Sequence, residues 1–282
     1  MAGKPKRASE YKSEQVDLVR ATCLYVATKL GDLMDDLVII GGLVPSLIVE
    51  QTALPDGADA HVGTMDLDVG LQLALLDEGR YRKLTERLRD AGFEMDKNDD
   101  RNPARQRWTI TGAGTVTVDF LIPPSREGDR GGRLRDIEPD FAAIIAPGLM
   151  CAFRDQQTVT LDGRTLFDEK ANRDVRACGA GAYVVLKALA FDSRGENKDA
   201  YDLFYVIRNY GTGVGDVVAK LAPLLDDDEA RKAVHILRRD FTDLESVGPR
   251  RVAEFVTGGP DDHVQADVVG FVGQLLAGVE EL

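Results

Sequence analysis

Two aspartates interrupt the apolar segment HVGTMDLDVGL, residues 61–71. Asp66 and Asp68 stand two positions apart, and successive side chains of a β-strand point to opposite faces of the sheet. We therefore expect both carboxylates on one face of a strand whose other face is apolar. An exposed polar face is the simplest explanation of such a pair. The alternative is a divalent cation, because paired carboxylates offer the hard oxygen ligands that Mg²⁺ prefers.

A third aspartate, Asp119, occurs in the apolar segment VTVDFLIP. A buried carboxylate is costly unless it is paired or binds a metal. Upstream, the segment LVIIGG predicts a short buried strand that is closed by Gly41 and Gly42, and a helix with Ser46 near its start follows. The chain thus presents, in order, a glycine turn with a nearby hydroxyl, a pair of aspartates and a lone aspartate.

These parts are the ones that a metal-dependent nucleotidyl-transfer site requires. Glycine lets the backbone approach a triphosphate, and a hydroxyl and a helix N-terminus hold phosphate oxygens. Three carboxylates hold one or two Mg²⁺ ions, which stabilise in-line attack on the α-phosphorus. The pattern predicts metal ligands at Asp66, Asp68 and Asp119.

The first half of the chain alternates helical and strand patterns. Helical periodicity covers residues 10–30 with Gly31 as a stop, and again residues 75–93 with Gly92 as a stop. The segments RWTITG and TVTVDFLIPP predict a hairpin around the sequence GAG. We expect an α+β fold whose N-terminal domain, residues 1–140, is a small mixed sheet with flanking helices.

The second half of the chain reads mainly as helices. A stretch rich in Gly, Arg, Asp and Pro, residues 125–140, predicts a loop-rich domain seam, and residues 158–167 predict one more short hairpin. From Gly181 onward, six successive segments have helical periodicity. We therefore assign residues 141–282 to a mainly helical second domain.

Composition limits the classes of partner. The chain has 282 residues, of which 44% are hydrophobic, so it can bury a substantial core. No apolar run is long enough to span a bilayer and no apolar segment follows the basic N-terminus, so we expect a cytoplasmic protein without a membrane partner. A net charge of −13 argues against indiscriminate nucleic-acid coating. A local basic patch built from Arg101, Arg105, Arg107 and the arginines of residues 126–135 is still compatible with that charge.

The glycine and aspartate pattern resembles the motif of the nucleotidyltransferase superfamily, hG[GS]…Dh[DE]h…h[DE]h. The matching positions are Gly41, Gly42, Asp66, Asp68 and Asp119. The serine that usually follows the first glycine is replaced by Gly42, and Ser46 is the nearest hydroxyl. The resemblance implies that Gly41, Gly42 and Ser46 bind an NTP and that the three aspartates are catalytic residues that bind Mg²⁺ or Mn²⁺. For Asp119 the alternative role is that of a base toward the acceptor hydroxyl.

A second segment, residues 186–207, resembles the K…R/K-D-x-x-D-L-Y region of the AbiEii/AbiGii and MenT toxins of type IV toxin–antitoxin systems. The matching positions are Lys187, Lys198, Asp199 and Asp202. The resemblance implies catalytic roles for Lys187 and Asp202 and NTP binding by Lys187 and Lys198. From spacing alone, Lys198 and Asp202 lie four apart on a helix, which fits a surface ion pair equally well.

The family resemblance implies a Mg²⁺-dependent toxin that transfers NMP from an NTP to RNA, with the tRNA 3′ end as the expected acceptor and an antitoxin as partner. Thr64 matches a hydroxyl residue that an antitoxin of kinase type phosphorylates in some members of the family. Such a phosphate would repel a triphosphate beside the aspartates. His61 stands where the family often has arginine, so a phosphate contact from it would depend on pH.

Two other functions are compatible with the same pattern. Transfer of a nucleotide to a small molecule such as an antibiotic suits the acidic surface, because aminoglycoside-like acceptors are cationic. A catalytically degenerate binding protein of the same fold is the second alternative, and the glycine at position 42 motivates it.

Overall fold

The computed structural model describes residues 5–52, 54, 59–72, 78–97 and 102–281. Within these residues the chain forms ten α-helices and one mixed sheet of nine strands, which agrees with the α+β prediction. The strands are β1 (Leu37–Ile40), β2 (Asp66–Leu71), β3 (Glu94–Lys97), β4 (Pro103–Thr111), β5 (Thr115–Ile122), β6 (Leu134–Glu138), β7 (Phe141–Ile145), β8 (Gln156–Arg164) and β9 (Lys170–Cys178). The helices are α1 (Ser13–Leu30), α2 (Val44–Ile48), α3 (Glu78–Asp90), α4 (Leu149–Arg154), α5 (Ala180–Arg194), α6 (Asn197–Asn209), α7 (Val214–Leu221), α8 (Asp228–Asp240), α9 (Val247–Thr257) and α10 (Asp262–Glu280).

The chain divides into two compact units. The sheet unit comprises residues Ser13–Val44 and Thr64–Cys178, and it contains all nine strands. The helical unit comprises Met1–Lys12, Pro45–Gly63 and Gly179–Leu282. Residues 141–178, which the sequence assigns to a helical second domain, thus belong to the sheet unit.

The strands of the sheet unit follow the order β3-β4-β5-β2-β1-β9-β8, and the β6–β7 pair joins the end of β5. Three of the pairings are parallel: β2 with β5, β1 with β9, and β5 with β7. The central strands β1, β2 and β5 are mostly buried, as their apolar residues predict. Two strands that carry the predicted metal ligands therefore lie side by side in the middle of the sheet.

Most of the local predictions for the first half are confirmed. Helix α1 ends before Gly31, and α3 ends before Gly92; both glycines have positive φ, the conformation that closes a helix. Strands β4 and β5 form the predicted antiparallel hairpin. The N-terminal part of the predicted helix over residues 75–93 lies partly outside the described residues, since residues 73–77 are not described.

Two predictions between residues 125 and 178 differ from the structure. The predicted loop-rich seam contains β6, which pairs with β7 and extends the sheet. The predicted hairpin over residues 158–167 has its first arm in β8, but the second arm is β9, which begins only at Lys170. Strand β9 has the sequence KANRDVRAC, which lacks a clear apolar alternation, so pairing with its neighbours rather than local pattern defines it.

The six predicted helical segments after Gly181 are α5 to α10. Helix α6 packs against α5, α9 and α10 within the helical unit, and 10 of its 13 residues are buried, which makes it the central helix of this group. Asp227 and Asp261 cap α8 and α10 by accepting hydrogen bonds from backbone N–H groups of the first turn. Among the described residues, no helix has a stretch that is both long and apolar enough to cross a membrane.

Candidate functional site

Three aspartates converge on one face of the sheet. Strands β2 and β5 run parallel, and their register places Asp68 directly beside Asp119. Asp66 lies two residues earlier on β2 and therefore shares this face. One carboxylate oxygen from each residue lies within 4.8 Å of the others. We call Asp66, Asp68 and Asp119 the acidic triad; its convergence was predicted from the sequence.

The donor set of the acidic triad fits a hard divalent cation. Asp66 and Asp119 are only 7% and 4% exposed, whereas Asp68 is half-buried. Like charges this close and this poorly hydrated repel one another, so a cation between them lowers the free energy of the cluster. Three carboxylates leave further coordination positions for water and phosphate oxygens, which is the arrangement that Mg²⁺ and Mn²⁺ accept.

Arg107 holds Asp119 from the neighbouring strand. Its Nε donates to Asp119 Oδ1 at 2.7 Å and its Nη2 donates to Asp119 Oδ2 at 2.6 Å, a bidentate ion pair. The hydrogen bond with Asp119, helped by the charges of Asp119 and Asp66, raises the pKa of Arg107 further. A carboxylate has about four acceptor positions, so Asp119 retains lone pairs for a metal.

Arg107 belongs to the basic patch predicted from the sequence, but its ion pair with Asp119 is not part of that prediction. The register of the predicted hairpin is enough to predict that Arg107 and Asp119 are paired. In an antiparallel hairpin the residue numbers of paired positions have a constant sum, and Thr111 pairs with Thr115. The same sum pairs Arg107 with Asp119, and directly paired residues share a face of the sheet.

Gly41 lies against the acidic triad. It follows Ile40, whose strand partner is Asp68, and it has a φ of +73°. A Cβ atom at Gly41 would collide with the Asp68 carboxylate, so both the backbone conformation and the available space require glycine. Gly42 follows as a buried residue in the short 3₁₀ turn before α2. The glycine turn thus lets the backbone approach Asp68 closely.

Thr64 touches the acidic triad through its hydroxyl. Thr64 Oγ1 donates to Asp66 Oδ1 at 2.9 Å, and the residue is only 4% exposed. This hydrogen bond orients the Asp66 carboxylate before β2 begins. Phosphorylation of Thr64 would require this buried hydroxyl to leave Asp66 and reach solvent.

Comparison with known proteins gives no information about the role of these residues. No family model matches the chain, and no curated protein matches it significantly.

Ser46 belongs to the helical unit, whereas both glycines belong to the sheet unit. It is half-buried in α2, where Pro45 occupies the first turn, as predicted from the sequence. Helix α2 has only 5 residues and ends at Ile48. The predicted helix that would direct its N-terminus at phosphate oxygens is therefore barely more than one turn.

The remaining predicted site residues meet in the helical unit. Lys187 Nζ lies 2.7 Å from Asp202 Oδ2 and 3.0 Å from Asp199 Oδ1. Lys187 projects from α5, while both aspartates project from α6. Asp202 is fully buried and Asp199 is 1% exposed, so this is not a surface ion pair.

Two more cations complete what we call the buried ion network, formed by His61, Lys187, Arg194, Lys198, Asp199 and Asp202; the side chain of Arg194 is 57% exposed and lies at its solvent edge. Lys198 Nζ donates to both oxygens of Asp202 at 2.7 and 2.9 Å. Arg194 makes a bidentate ion pair with Asp199, at 2.6 and 2.8 Å. The sequence predicted the spacing of Lys198 and Asp202 but not their burial.

His61 enters the network from a distant part of the sequence. Its Nε2 lies 2.8 Å from Asp202 Oδ1, and its Nδ1 accepts a hydrogen bond from the backbone N–H of Gly63 at 3.0 Å. Because Nδ1 is an acceptor, the neutral ring carries its proton on Nε2 and donates it to Asp202. Burial lowers the pKa of His61 to about 4, even though Asp202 favours the charged form. With both ring nitrogens engaged, His61 does not serve as the phosphate contact that its position suggested.

The donors around Asp202 use all of its acceptor positions. Lys198 contributes two contacts, and Lys187 and His61 contribute one each. Burial by itself would raise the pKa of Asp202, but Lys187, Lys198 and His61 hold that pKa well below its usual range. Asp202 thus acts as an anchor that fixes the two lysines.

The two lysines respond differently to this environment. Burial opposes the charge of Lys187, but Asp202 and Asp199 outweigh it and raise the pKa of Lys187. Burial, assisted by repulsion from Lys187, lowers the pKa of Lys198 although Asp202 offsets part of the effect. Lys187 is therefore the more firmly charged of the two lysines.

The predicted basic patch is only partly assembled among the described residues. Arg105 and Arg107 both lie on β4 where its register with β3 is irregular, and Arg105 pairs with Asp136 at 2.7 Å. Arg135 is buried and bonds with Asp129 and Ser125. Arg101 lies outside the described residues.

Proposed function

We propose that the protein is a Mg²⁺-dependent nucleotidyltransferase that moves NMP from an NTP to an RNA acceptor, with the tRNA 3′ end as the expected acceptor. The observation that carries the proposal is the acidic triad, whose three carboxylate oxygens lie within 4.8 Å of one another beside a glycine turn. Its donor set, its burial and its close glycine backbone together suit metal-assisted phosphoryl transfer better than a structural role.

Each residue around the triad has a distinct task in this proposal. Asp66, Asp68 and Asp119 would hold Mg²⁺ or Mn²⁺. Thr64 orients Asp66 and Arg107 orients Asp119, so the ligands are fixed before substrate binds. When bound, the metal would neutralise phosphate charge and stabilise the charge that develops during transfer.

The reaction exchanges the phosphoanhydride bond between the α- and β-phosphates of the NTP for a phosphodiester bond to the acceptor. The acceptor hydroxyl oxygen forms a bond to the α-phosphorus, and the bond between the α-phosphorus and its bridging oxygen breaks. Pyrophosphate leaves with that bonding pair, and the hydroxyl proton passes to a base. Asp119 is a poor candidate for that base, because both of its oxygens already accept hydrogen bonds from Arg107; its role here is that of a metal ligand.

Lys187 and Lys198 are the cations of the helical unit that the family resemblance assigns to NTP binding, and an ammonium group is a ligand for a phosphate oxygen. Asp202 contacts both lysines and so fixes their positions before a nucleotide binds. Lys187 and Lys198 are the phosphate contacts proposed for the helical unit. Gly41 and Gly42 of the sheet unit, and Ser46 of α2, are the phosphate contacts that the glycine motif implies.

RNA is the first candidate acceptor because the family resemblance implies it, and Arg107 places one guanidinium group at the triad, on Asp119. A cationic small molecule is the second candidate, favoured by the net charge of −13. In the toxin–antitoxin interpretation, the transfer inhibits growth or translation and a cognate antitoxin restrains it.

The decisive experiment is incubation of the purified chain with each labelled NTP, Mg²⁺ and total tRNA. We expect label in tRNA with one or more NTPs and none with Asp66→Asn or Asp68→Asn. Asp174→Asn, which changes an exposed aspartate on β9, is the matched control and should transfer normally.

A second readout separates metal binding from transfer. Mg²⁺ at ten times its dissociation constant should raise the free energy of unfolding by about 1.4 kcal/mol, and the Asp66→Asn variant should lose this gain. Mg²⁺ binding without transfer to tRNA would redirect the search to cationic small acceptors. Absence of both Mg²⁺ stabilisation and NTP binding would favour a degenerate binding protein.

A further inference from the structure

Arg107 has hydrogen-bond donors beside the acidic triad that its ion pair with Asp119 does not use. A guanidinium group carries five N–H groups in one plane, and Asp119 accepts one from Nε and one from Nη2. The two N–H groups of Nη1 and the second N–H of Nη2 are therefore left over. Across the described parts of the chain, none of these remaining groups forms a hydrogen bond.

The unused donors of Arg107 are accessible to a ligand. Its side chain is 32% exposed, whereas that of Asp119 is 6% exposed. Nη1 is not one of the described atoms that are both buried and unpaired, so it reaches solvent. One N–H of Nη1 and one of Nη2 point the same way, which is the geometry that binds two oxygens of a phosphate or carboxylate. Arg107 thus holds Asp119 with one edge of the guanidinium and leaves a second bidentate edge open.

Strand register places this open edge next to the predicted metal ligands. Arg107 pairs directly with Asp119, and Asp119 pairs directly with Asp68, so the three side chains form a row on one face of β4, β5 and β2. Neighbouring strands lie about 4.8 Å apart, so the backbone of Arg107 is about 10 Å from that of Asp68. On the other side of Asp68 the row continues to Ile40, which precedes Gly41. Arg107 and the glycine turn therefore flank the two central carboxylates.

Neutralisation of Asp119 does not by itself require this geometry. An ammonium group would supply the same charge, whereas a guanidinium adds a planar fork that matches an oxyanion. Carboxylate and phosphate both fit such a fork. The choice of phosphate rests on the proposed function, because an NTP held through a metal at the triad brings phosphate oxygens to this face of the sheet.

We propose that Arg107 is a substrate-binding residue whose open Nη1–Nη2 edge binds two oxygens of the NTP triphosphate. Nε and the other N–H of Nη2 keep their bonds to Asp119. The guanidinium group then connects a metal ligand with the substrate, in addition to the orienting role that its ion pair provides. The ligand of this edge is a triphosphate and not the base or the ribose.

Calorimetric titration distinguishes a phosphate contact from a purely orienting role. The full chain is titrated with inorganic triphosphate at saturating Mg²⁺, so that neither a base nor RNA contributes. Arg107→Lys keeps the positive charge but has no second bidentate edge, and it should weaken triphosphate binding at least about tenfold. A residue that only orients Asp119 would instead change the affinity for Mg²⁺ alone and leave triphosphate binding at saturating Mg²⁺ unaltered.

Arg105→Lys is the matched control. Arg105 lies on the same strand and has a similar exposed fraction, 39% against 32% for Arg107. Its guanidinium contacts Asp136 and the carbonyl oxygen of Pro139 instead of the triad. This variant should bind Mg²⁺ and triphosphate as the unaltered chain does. A urea titration establishes that both variants are folded.

Protection from phenylglyoxal tests the contact in the unaltered chain. This reagent modifies accessible guanidinium groups, and mass spectrometry of the resulting peptides gives the rate at each arginine. Triphosphate with Mg²⁺ should slow the modification of Arg107 several-fold and leave that of Arg105 unchanged. Equal protection of the two arginines, or protection of neither, would contradict the proposed contact.

The outcomes separate this proposal from the proposed function. Unchanged triphosphate binding in Arg107→Lys, or no triphosphate binding by the unaltered chain, would overturn the contact; transfer of NMP by the unaltered chain would then still support the transferase. Weakened triphosphate binding in Arg107→Lys, in a protein that transfers nothing to any acceptor, would support the contact and refute the transferase.

Discussion

The acidic triad gathers three carboxylates around one guanidinium, whereas the buried ion network gathers three cationic groups around two carboxylates. The triad brings like charges together and could hold a metal ion. In the network, by contrast, each of the two buried carboxylates already contacts cationic side chains of the same unit.

The clusters also differ in how they relate to stability. Every acceptor position of Asp202 is filled by a donor of the same unit, so the network contributes to its own folding. The triad places like charges together and therefore costs stability until a cation arrives. We expect changes in the network to act on folding and changes in the triad to act on activity.

Removal of a network cation should have the largest effect. Lys187→Met leaves Asp199 and Asp202 buried with less compensation, so we expect a loss of about 3–5 kcal/mol in the free energy of unfolding, measured by urea titration. Lys232→Met, which breaks an exposed ion pair with Asp192, should cost less than about 1 kcal/mol. Equal effects in the two variants would show that the network does not stabilise the fold.

The pH dependence of stability should reveal the lowered pKa of His61. Its pKa is lowered from 6.5 to about 4 in the folded chain, so between these values the unfolded state binds more protons. Stability is then fully present above about pH 6.5 and falls as the pH decreases towards 4, by about 3 kcal/mol from this residue. His61→Gln should flatten this part of the curve, which is measured by urea unfolding at several pH values.

His235→Gln supplies the control for this pH effect, because His235 is exposed on α8. Its curve should follow that of the unaltered chain. If His61→Gln also followed it, the neutral, donating state of His61 would be refuted. The lowered pKa of Asp202 acts in a separate window, below its ordinary value of 3.8, where protonation of that carboxylate removes stability.

A change in the triad should separate activity from stability. We expect Asp68→Asn to reduce nucleotidyl transfer by about 10²-fold or more, because it removes a metal ligand. In the presence of a chelator the same variant should be at least as stable as the unaltered chain, since one of three like charges is gone. A marked loss of stability without metal would contradict the repulsion between like charges inferred for the triad.

The smallest effect is expected at Arg107. Arg107→Lys keeps the positive charge but loses the bidentate geometry on Asp119, so transfer should fall by about tenfold while the metal dependence persists. Steady-state rates at saturating and limiting Mg²⁺ measure this. Full activity in the variant would mean that Arg107 only neutralises Asp119 and does not orient it.

Secondary-structure predictions were correct where the apolar residues of a segment follow a single periodicity, either that of a strand or that of a helix. Alternation in β2 and β5 correctly placed Asp66, Asp68 and Asp119, and 3.6-residue periodicity predicted α5 to α10. Strands β3, β6, β7 and β9 were not predicted, because their short or charged sequences become strands only when a neighbour supplies hydrogen bonds. The boundary of the sheet unit beyond residue 140 depends on those pairings.

The amino-acid sequence by itself determined which side chains of each strand and helix share a face, because that depends only on backbone periodicity. The sequence therefore determined that Asp66, Asp68 and Asp119 lie on strands as candidate metal ligands, and that Lys198 and Asp202 stand four residues apart on a helix. Only the tertiary structure decided that Gly41 lies against Asp68 and that Arg107 forms a bidentate ion pair with Asp119. It also decided that His61 contacts Asp202, which is 141 positions away in the sequence. Such contacts depend on strand register and helix packing, which are set by the burial of many residues together and not by any local pattern.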